Sequence, residues 1–275
     1  MLDRGMGLLR HGADGEFTVA DLTQRDYHDV ELCVLHHAPP RPGDSGSRIG
    51  LDHQWSVRPM RVPPGMEAAG LDLFSFDSDA VVPVGGRFLA WVDYYQGMLL
   101  VDVLHEDAEL RFVPMPAEAL LSRRWYYDEG IPDPVRCVGV TDGDIVKLVC
   151  IITPDRRSPA FTIATWTLAD IDRGVWDKDG TTTMDDSQFF GLCCGVTAKI
   201  SRQPPSFPMV SLVDPDVVCF LLEEEHGVVW MVEVNMRTKV LLSRAVYLDE
   251  EEARRNPFDG LRNFISYLST TSNNL

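Results

Sequence analysis

Apolar residues fall along this chain in short runs, each closed by Gly, Pro, Asp or Asn. That punctuation predicts β-strands rather than helices. The runs come in pairs. FTVADL and VELCVL flank a turn near His28; FLAWVDYY and MLLVDVL flank Gln96-Gly97; IVKLVCIIT and FTIATWTL flank Asp155–Pro159; VVCFLL and VVWMVEV flank His226-Gly227. With turn centres at residues 28, 96, 157 and 226, the spacings are 68, 61 and 69 residues. Four hairpins at a near-constant period are the mark of a repeat architecture. Helical spacing is confined to Ala117–Arg124 and to a late face made by Phe258, Leu261, Phe264, Ile265 and Leu268.

Each repeat has room for four strands: AVVPV, RFLAWV, MLLVDVL and LRFVPM in the second, PMVSLV, VVCFLL, VVWMVEV and KVLLSRAVYL in the fourth. The inner strands are almost continuously apolar. A sheet with one wet face alternates, whereas a sheet covered on both faces does not. Face-to-face stacking of propeller blades provides such cover. The expectation is therefore an all-β, propeller-like array of about four four-stranded antiparallel units with a short C-terminal helix. Two-sheet β-sandwich-like domains are the alternative. The units span about 8–62, 80–118, 134–183 and 208–248 of one domain covering 1–275, with a tail at 249–275. In the second unit Leu99, Leu100, Val101 and Val103 should all be buried. Residues 38–50 (APPRPGDSGSRIG) read as a surface loop.

The stretch WVDYYQGMLLVDVL followed by LRFVPMP resembles the signature of a grass-expanded plant family, the domain of unknown function 1618. Trp91, Asp93, Gly97, Leu99, Leu100, Asp102, Val103 and Leu104 match its first part; Leu110, Arg111, Val113, Pro114 and Pro116 match its second. MVSLVDPDVVCFLL with WMVEVNMRTKVLLS resembles the family's closing segment, so the likeness covers about residues 8–250. It implies no established activity. It implies a layout similar to the propeller-like domains that follow F-boxes in plant proteins, although no helical F-box precedes the first unit here.

Composition narrows the partners. The chain is 45% hydrophobic and 24% charged, enough apolar material for a sizeable core. Its 25 basic and 42 acidic residues give a net charge of −17, which repels nucleic acid and anionic membrane surfaces at long range. Residues 214–252 hold ten carboxylates against Arg237, Lys239 and Arg244, a local net of −7. Such a run serves solubility or offers an acidic face to a basic partner. The six cysteines contain no C-x-x-C pair, and Cys33, Cys150 and Cys219 lie in apolar runs where they are expected as buried free thiols. The N-terminal stretch has no apolar signal region, and no run is long enough to span a membrane. The cytosol is the expected compartment, with the nucleus left open.

Candidate chemistry is sparse. Gly43-Asp44-Ser45-Gly46-Ser47 looks like the nucleophile loop of chymotrypsin-like proteases, but no upstream His and Asp supply a base and its orienter. His36, His37, Asp52 and His53 come near one another if their strands pair, yet adjacent strand residues point to opposite faces. The pairs Asp77/Asp79, Asp142/Asp144, Asp170/Asp172 and Asp214/Asp216 are turn residues in type, with Asp142-Gly143 a two-residue hairpin turn. Trp91, Trp166 and Trp230 belong to strands and the core; Trp55, Trp125 and Trp176 lie nearer strand ends. No catalytic, cofactor-binding or metal-ligating residue is assigned, and no cofactor is implied. The remaining candidate is an interaction rim at the hairpin tips: Tyr27, His28, Tyr94, Tyr95, Gln96, Arg156, Arg157, Glu223, Glu224, Glu225 and His226. The expected function is a non-enzymatic module that binds a protein. The alternatives are a hydrolase-like enzyme with its site at the propeller mouth and a truncated paralogue without retained function.

Overall fold

A computed structural model describes residues 5–12, 15–26, 29–38, 55–121, 135–154, 159–193, 202–224, 228–249 and 251. More than half of these are strand, in four antiparallel sheets met in order along the chain. Sheet 1 is the meander β1 (Met6–Arg10), β2 (Phe17–Gln24), β3 (Asp29–His37), β4 (Ser56–Arg61). Sheet 2 is β5 (Ala80–Val84), β6 (Phe88–Asp93), β7 (Gly97–Asp102), β8 (Arg111–Pro114). Sheet 3 is β9 (Arg136–Thr141), β10 (Ile145–Ile152), β11 (Thr162–Asp170) and β12 (Val175–Lys178), with the two-residue β13 (Met184–Asp185) also paired to β11. Sheet 4 is β14 (Ser206–Val210), β15 (Val217–Glu223), β16 (Val229–Asn235), β17 (Val240–Leu248). The fold class is nearly all-β, a sequential, propeller-like array of four-stranded antiparallel meanders. The hairpins β2–β3, β6–β7, β10–β11 and β15–β16 are the four read from the apolar runs.

The chain divides into two compact units, one of residues 1–121, 138–146 and 167–177, the other of 122–137, 147–166 and 178–275. In the first, one face of sheet 1 packs on one face of sheet 2. Leu9, Ala20, Val30, Leu32, Val34 and Met60 share a core with Leu89, Trp91, Leu99, Val101 and Val103. The close approach of β1 requires Gly7, where a Cβ would fall 2.6 Å from Val81 Cγ1 and 2.9 Å from Leu89 Cδ1. Trp91 is buried in this core and its Nε1 donates to the Gly5 carbonyl at 2.6 Å, so the indole N–H is not stranded.

Every residue of β7 is buried, including Leu99 and Leu100 on opposite faces at 1% and 0% exposure. A two-sheet sandwich leaves the outer face of each sheet wet, so this strand does not belong to one. Gly97 opens β7 because a Cβ there would lie 2.4 Å from the Val113 carbonyl oxygen of β8. Residues 138–146 and 167–177 of the same unit also meet sheet 2: Trp176 Nε1 donates to the Pro114 carbonyl at 3.0 Å, and Arg111 pairs with Asp172. Sheet 1 differs. Its buried residues alternate with Leu8, Val19, Leu35 and Val57, which are half-buried or exposed.

In the second unit Val218, Phe220 and Leu222 of β15 and Val232 and Val234 of β16 pack with Val149, Ile151, Phe161 and Ile163. The same core takes Phe189 and Cys193 from α1 (Asp186–Cys193). Phe189 meets Phe161 and Phe220 edge-on, with ring centroids 5.8 and 5.4 Å apart. A reciprocal cap starts this helix: the Asp185 carboxylate accepts from Gln188 N at 2.8 Å, and the Gln188 side-chain oxygen accepts from Asp185 N at 3.2 Å.

Three expectations change. Of Ala117–Arg124, residues Ala119–Leu121 form a single 3-10 turn and 122–124 lie outside the described residues, as does the late apolar face at 258–268. Cys150 is buried, but Cys33 and Cys219 are only half-buried. Their neighbours Leu32, Val34, Val218 and Phe220 point into the cores, so strand alternation turns these two thiols to the opposite face. Burial still raises the Cys33 thiol and pushes Cys219 up to about 12, assisted by Glu233 in the second case. Finally, positive φ occurs at Gly143 and Asp144, so the left-handed pair of that hairpin turn lies one residue later than Asp142-Gly143.

Cover on both sides of β7 gives a direct expectation. Leu100→Ala should cost about 2–5 kcal/mol, and Val101→Ala, on the other face, a smaller but clear amount. Urea unfolding of the full chain measures both; a neutral result at either position would mean that one face of this strand is wet.

Candidate functional site

Of the rim residues read from the hairpin tips, Tyr27, His28, Arg156, Arg157, Glu225 and His226 lie outside the described residues. The tip of sheet 2 is built inward. Tyr94 is 6% exposed, and its hydroxyl accepts from Val138 N at 3.2 Å, which removes it from any rim. Gln96 is spent on the fold. Its Oε1 accepts from Asp72 N at 2.7 Å, and its Nε2 donates to Ser75 Oγ and to Asp93 Oδ2, each at 3.2 Å. The buried Asp93 also accepts from Tyr95 N at 2.7 Å and Asp77 N at 3.1 Å, while Asp79 accepts from Tyr94 N at 3.0 Å. Of the pair Asp77/Asp79, Asp79 joins Asp93 in tying the tip to the segment before β5. Tyr95 is half-buried.

The tip of sheet 4 is built outward. Glu223 ends β15 exposed, and Glu224, half-buried, accepts from Trp230 Nε1 at 2.9 Å. Glu223, Val229 and Leu248 form one cross-strand row, so Asp249 and Glu251, just past β17, lie at the same end of the sheet.

Two polar clusters escaped the sequence reading. In sheet 1 the Thr18 hydroxyl lies 2.8 Å from both His11 Nε2 and His36 Nδ1, and His11 Nδ1 is 3.7 Å from Glu16. The order Glu–His–Thr resembles an activated-hydroxyl arrangement. Thr18, however, is 0% exposed, and a nucleophile must reach its substrate. Burial, with help from Arg58 and His11, lowers the pKa of His36. His37 stacks on Phe17 instead, with ring centroids 4.6 Å apart, and Asp52 and His53 lie outside the described residues. The signal missed was register: Arg10 pairs with Phe17 and Thr18 with His36, which only the strand pairing reveals.

In the second unit Arg237, in the β16–β17 turn, ties two other segments to its own. Its Nε and Nη2 donate to Asp216 at 2.6 and 3.1 Å, Nη2 also to Asp179 at 2.8 Å, and Nη1 to Thr181 Oγ1 at 3.0 Å. Asp216 raises the Arg237 pKa further by hydrogen bonding, then by charge, which leaves the guanidinium charged throughout. The Thr181 hydroxyl, above all, holds Asp179 below its usual range. Beside them, burial pulls the Lys147 ammonium down while Asp216 and Asp179 oppose it. Lys239 Nζ donates to the Thr183 carbonyl at 2.6 Å. The cluster fastens loops; every donor of the guanidinium group named here already has an acceptor. Among the described residues no group of three or more His, Cys, Asp or Glu is placed to hold a metal ion, and no helix is long and apolar enough to cross a membrane.

Residues 91–219, from Trp91 in β6 to Cys219 in β15, match the family model described as a protein of unknown function, DUF1618. No curated protein matches the chain. Similar solved structures include a Bacteroides fragilis protein provisionally described as a 6-phosphogluconolactonase, 10% identical, with a TM-score of 0.33 over 87% of this chain and 70% of that one. The periplasmic gluconolactonase of Pseudomonas aeruginosa is also 10% identical, with a TM-score of 0.32 over 87% of this chain and 71% of that one. Likenesses this low carry no argument.

The lowered pKa of His36 sets a pH dependence. The folded chain disfavours the charged form of this imidazole, so its contribution is full above the unfolded value of 6.5 and is lost as pH falls through that value towards the lower folded one. Melting at about pH 7.5 and about pH 5.5 should show a drop that shrinks in His36→Gln; an unchanged drop would exclude His36 as its source.

Proposed function

We propose that this chain, which belongs through residues 91–219 to the DUF1618 family of proteins of unknown function, is a non-enzymatic protein-interaction module. One observation carries this reading: the polar groups gathered into clusters are consumed by the fold, while sheet 4 turns acid and apolar side chains outward. Gln96 and Arg237 have their donors engaged, and the Thr18 hydroxyl is sealed between two histidines. Glu223 and the β17 residues Leu242 and Val246 face solvent. An apolar patch with charges at its margin suits a protein contact. Of the rim residues, the exposed Glu223 suits a contact better than Tyr94 and Gln96, which are turned into the fold. Thiols at Cys33, Cys137 and Cys219 accord with a reducing compartment.

The hydrolase-like alternative rests on His11–Thr18–His36 alone. The purified chain should turn over no lactone or ester above background, and it should retain a partner stoichiometrically in affinity capture from native extract. Turnover that is lost in the near-isosteric Thr18→Val variant would replace a binding role with an enzymatic one.

A further inference from the structure

The His11–Thr18–His36 cluster closes one end of the core of the first unit. Leu9 pairs with Thr18, and Thr18 with His36, in one row across β1, β2 and β3. Leu9 is buried, and so is the next row, Gly7–Ala20–Val34. One row outward, the His11 backbone N–H donates to the Glu16 carbonyl at 3.0 Å. The hydroxyl is sealed but the rings are not: His36 is exposed and His11 half-buried, so protons from solvent reach both imidazoles. How many they accept is set by the hydroxyl, which has one proton to donate and two lone pairs to accept with. With both rings neutral, it donates to one facing nitrogen and accepts from the other. One added proton fits as well, because the charged ring donates to the hydroxyl and the hydroxyl donates to the neutral ring. With both rings charged, both facing nitrogens are donors. The hydroxyl proton then loses its acceptor inside a residue that is 0% exposed, and Thr18 has no third partner among the described residues.

Charge acts in the same direction. Two imidazolium rings on one hydroxyl repel each other, and Arg58 of β4, on the same face as the buried Met60, adds a third positive charge. The Arg58 guanidinium donates to the His105 carbonyl at 2.9 Å, which sets His105 beside it. Glu16, 3.7 Å from His11 Nδ1, is the carboxylate that opposes these cations. Arg10 and His37 lie on the other face of the sheet, where His37 stacks on Phe17. Partial burial first, then Arg58 and His11, hold His36 below its ordinary value. We propose that this end of sheet 1 is a proton-operated latch: it stays closed with one imidazolium, and the second proton parts the β1–β2 hairpin end from β3, baring Leu9 and the core beneath it. Opening returns both rings and the hydroxyl to water, which removes the lost hydrogen bond and screens the repulsion. The device is local and belongs to the pair of histidines rather than to His36 alone, which separates it from the change in melting described above. Acid thereby uncovers apolar surface on the first unit that stays dry at neutral pH.

Hydrogen exchange of the full chain, read by mass spectrometry and corrected for the intrinsic rate at each pH, tests the latch. Below about pH 6.5, amides of residues 6–10 and 17–19 should lose protection by about tenfold per pH unit, the slope of one extra proton taken up on opening. Amides of β7 should keep theirs. His11→Gln and His36→Gln should each abolish the slope, since each leaves a single titrating ring on the hydroxyl. Thr18→Ser, which keeps the hydroxyl, should retain it. In the unaltered chain, a magnetic-resonance titration should show the imidazoles of His11 and His36 charging in two separated steps, so the idea is tested even where a glutamine variant fails to fold. A slope that survives in either histidine variant, protection lost equally over β7, no loss of protection in acid, or one shared titration step each overturns the latch.

Discussion

The structure of the first unit depends on burying both faces of one hairpin. Strand alternation sends Trp91, Leu99 and Val101 to one side of β6–β7 and Ala90, Val92, Met98 and Leu100 to the other, and all are buried. Apolar burial on this scale stabilises by roughly 1.5–3 kcal/mol per large side chain, so neither face can be left wet cheaply. The close contacts follow from that demand. Gly7 lets β1 approach Val81 and Leu89, and Gly97 lets β7 lie against the Val113 carbonyl. A methyl group at either would have to displace a neighbour, and at Gly97 that neighbour is backbone.

Where the strands end, polar groups close the account that the core leaves open. Turn N–H groups removed from water need acceptors. Aspartates supply them repeatedly: Asp93 to Tyr95 N, Asp170 to Asp172 N and Arg173 N, Asp179 to Thr181 N, Asp214 to Asp216 N. This is the side chain-to-backbone bonding that favours Asp in tight turns. Much of the acidic composition is therefore structural; Asp249, just past β17, joins it by accepting from Glu251 N at 2.9 Å, while Glu223 at the end of β15 faces solvent. Arg237 is the same economy at larger scale, one guanidinium joining the segments of Asp179 and Asp216 through geometry that a lysine could not span.

Sheets 1 and 4 carry the exposed chemistry. Sheet 1 alternates, with Leu8 and Val57 outward; sheet 4 ends in β17, exposed along most of its length. In sheet 2 the tip is folded onto residues 72–79 and the inner strands β6 and β7 are covered.

The sequence alone determined the strands, their hairpins and the dry second sheet. Those features are local: runs of Val, Leu and Ile closed by turn residues, and β7 apolar on both faces at once. The stretch that resembles the DUF1618 signature, WVDYYQGMLLVDVL, was equally local. The eight-residue helix was legible only as Asp185-x-x-Gln188 before two phenylalanines, too short for periodicity to register. Tertiary structure decided the rest. A tyrosine in a turn looks like a rim residue until the fold brings Val138 to its hydroxyl. Thr18 acquires two histidines only when β1, β2 and β3 fall into register. Arg237, Asp179 and Asp216 lie far apart in the chain, and composition cannot say that they cancel. Exposure of β17 likewise follows from its place at the end of a sheet, since its apolar content matches that of strands that are buried.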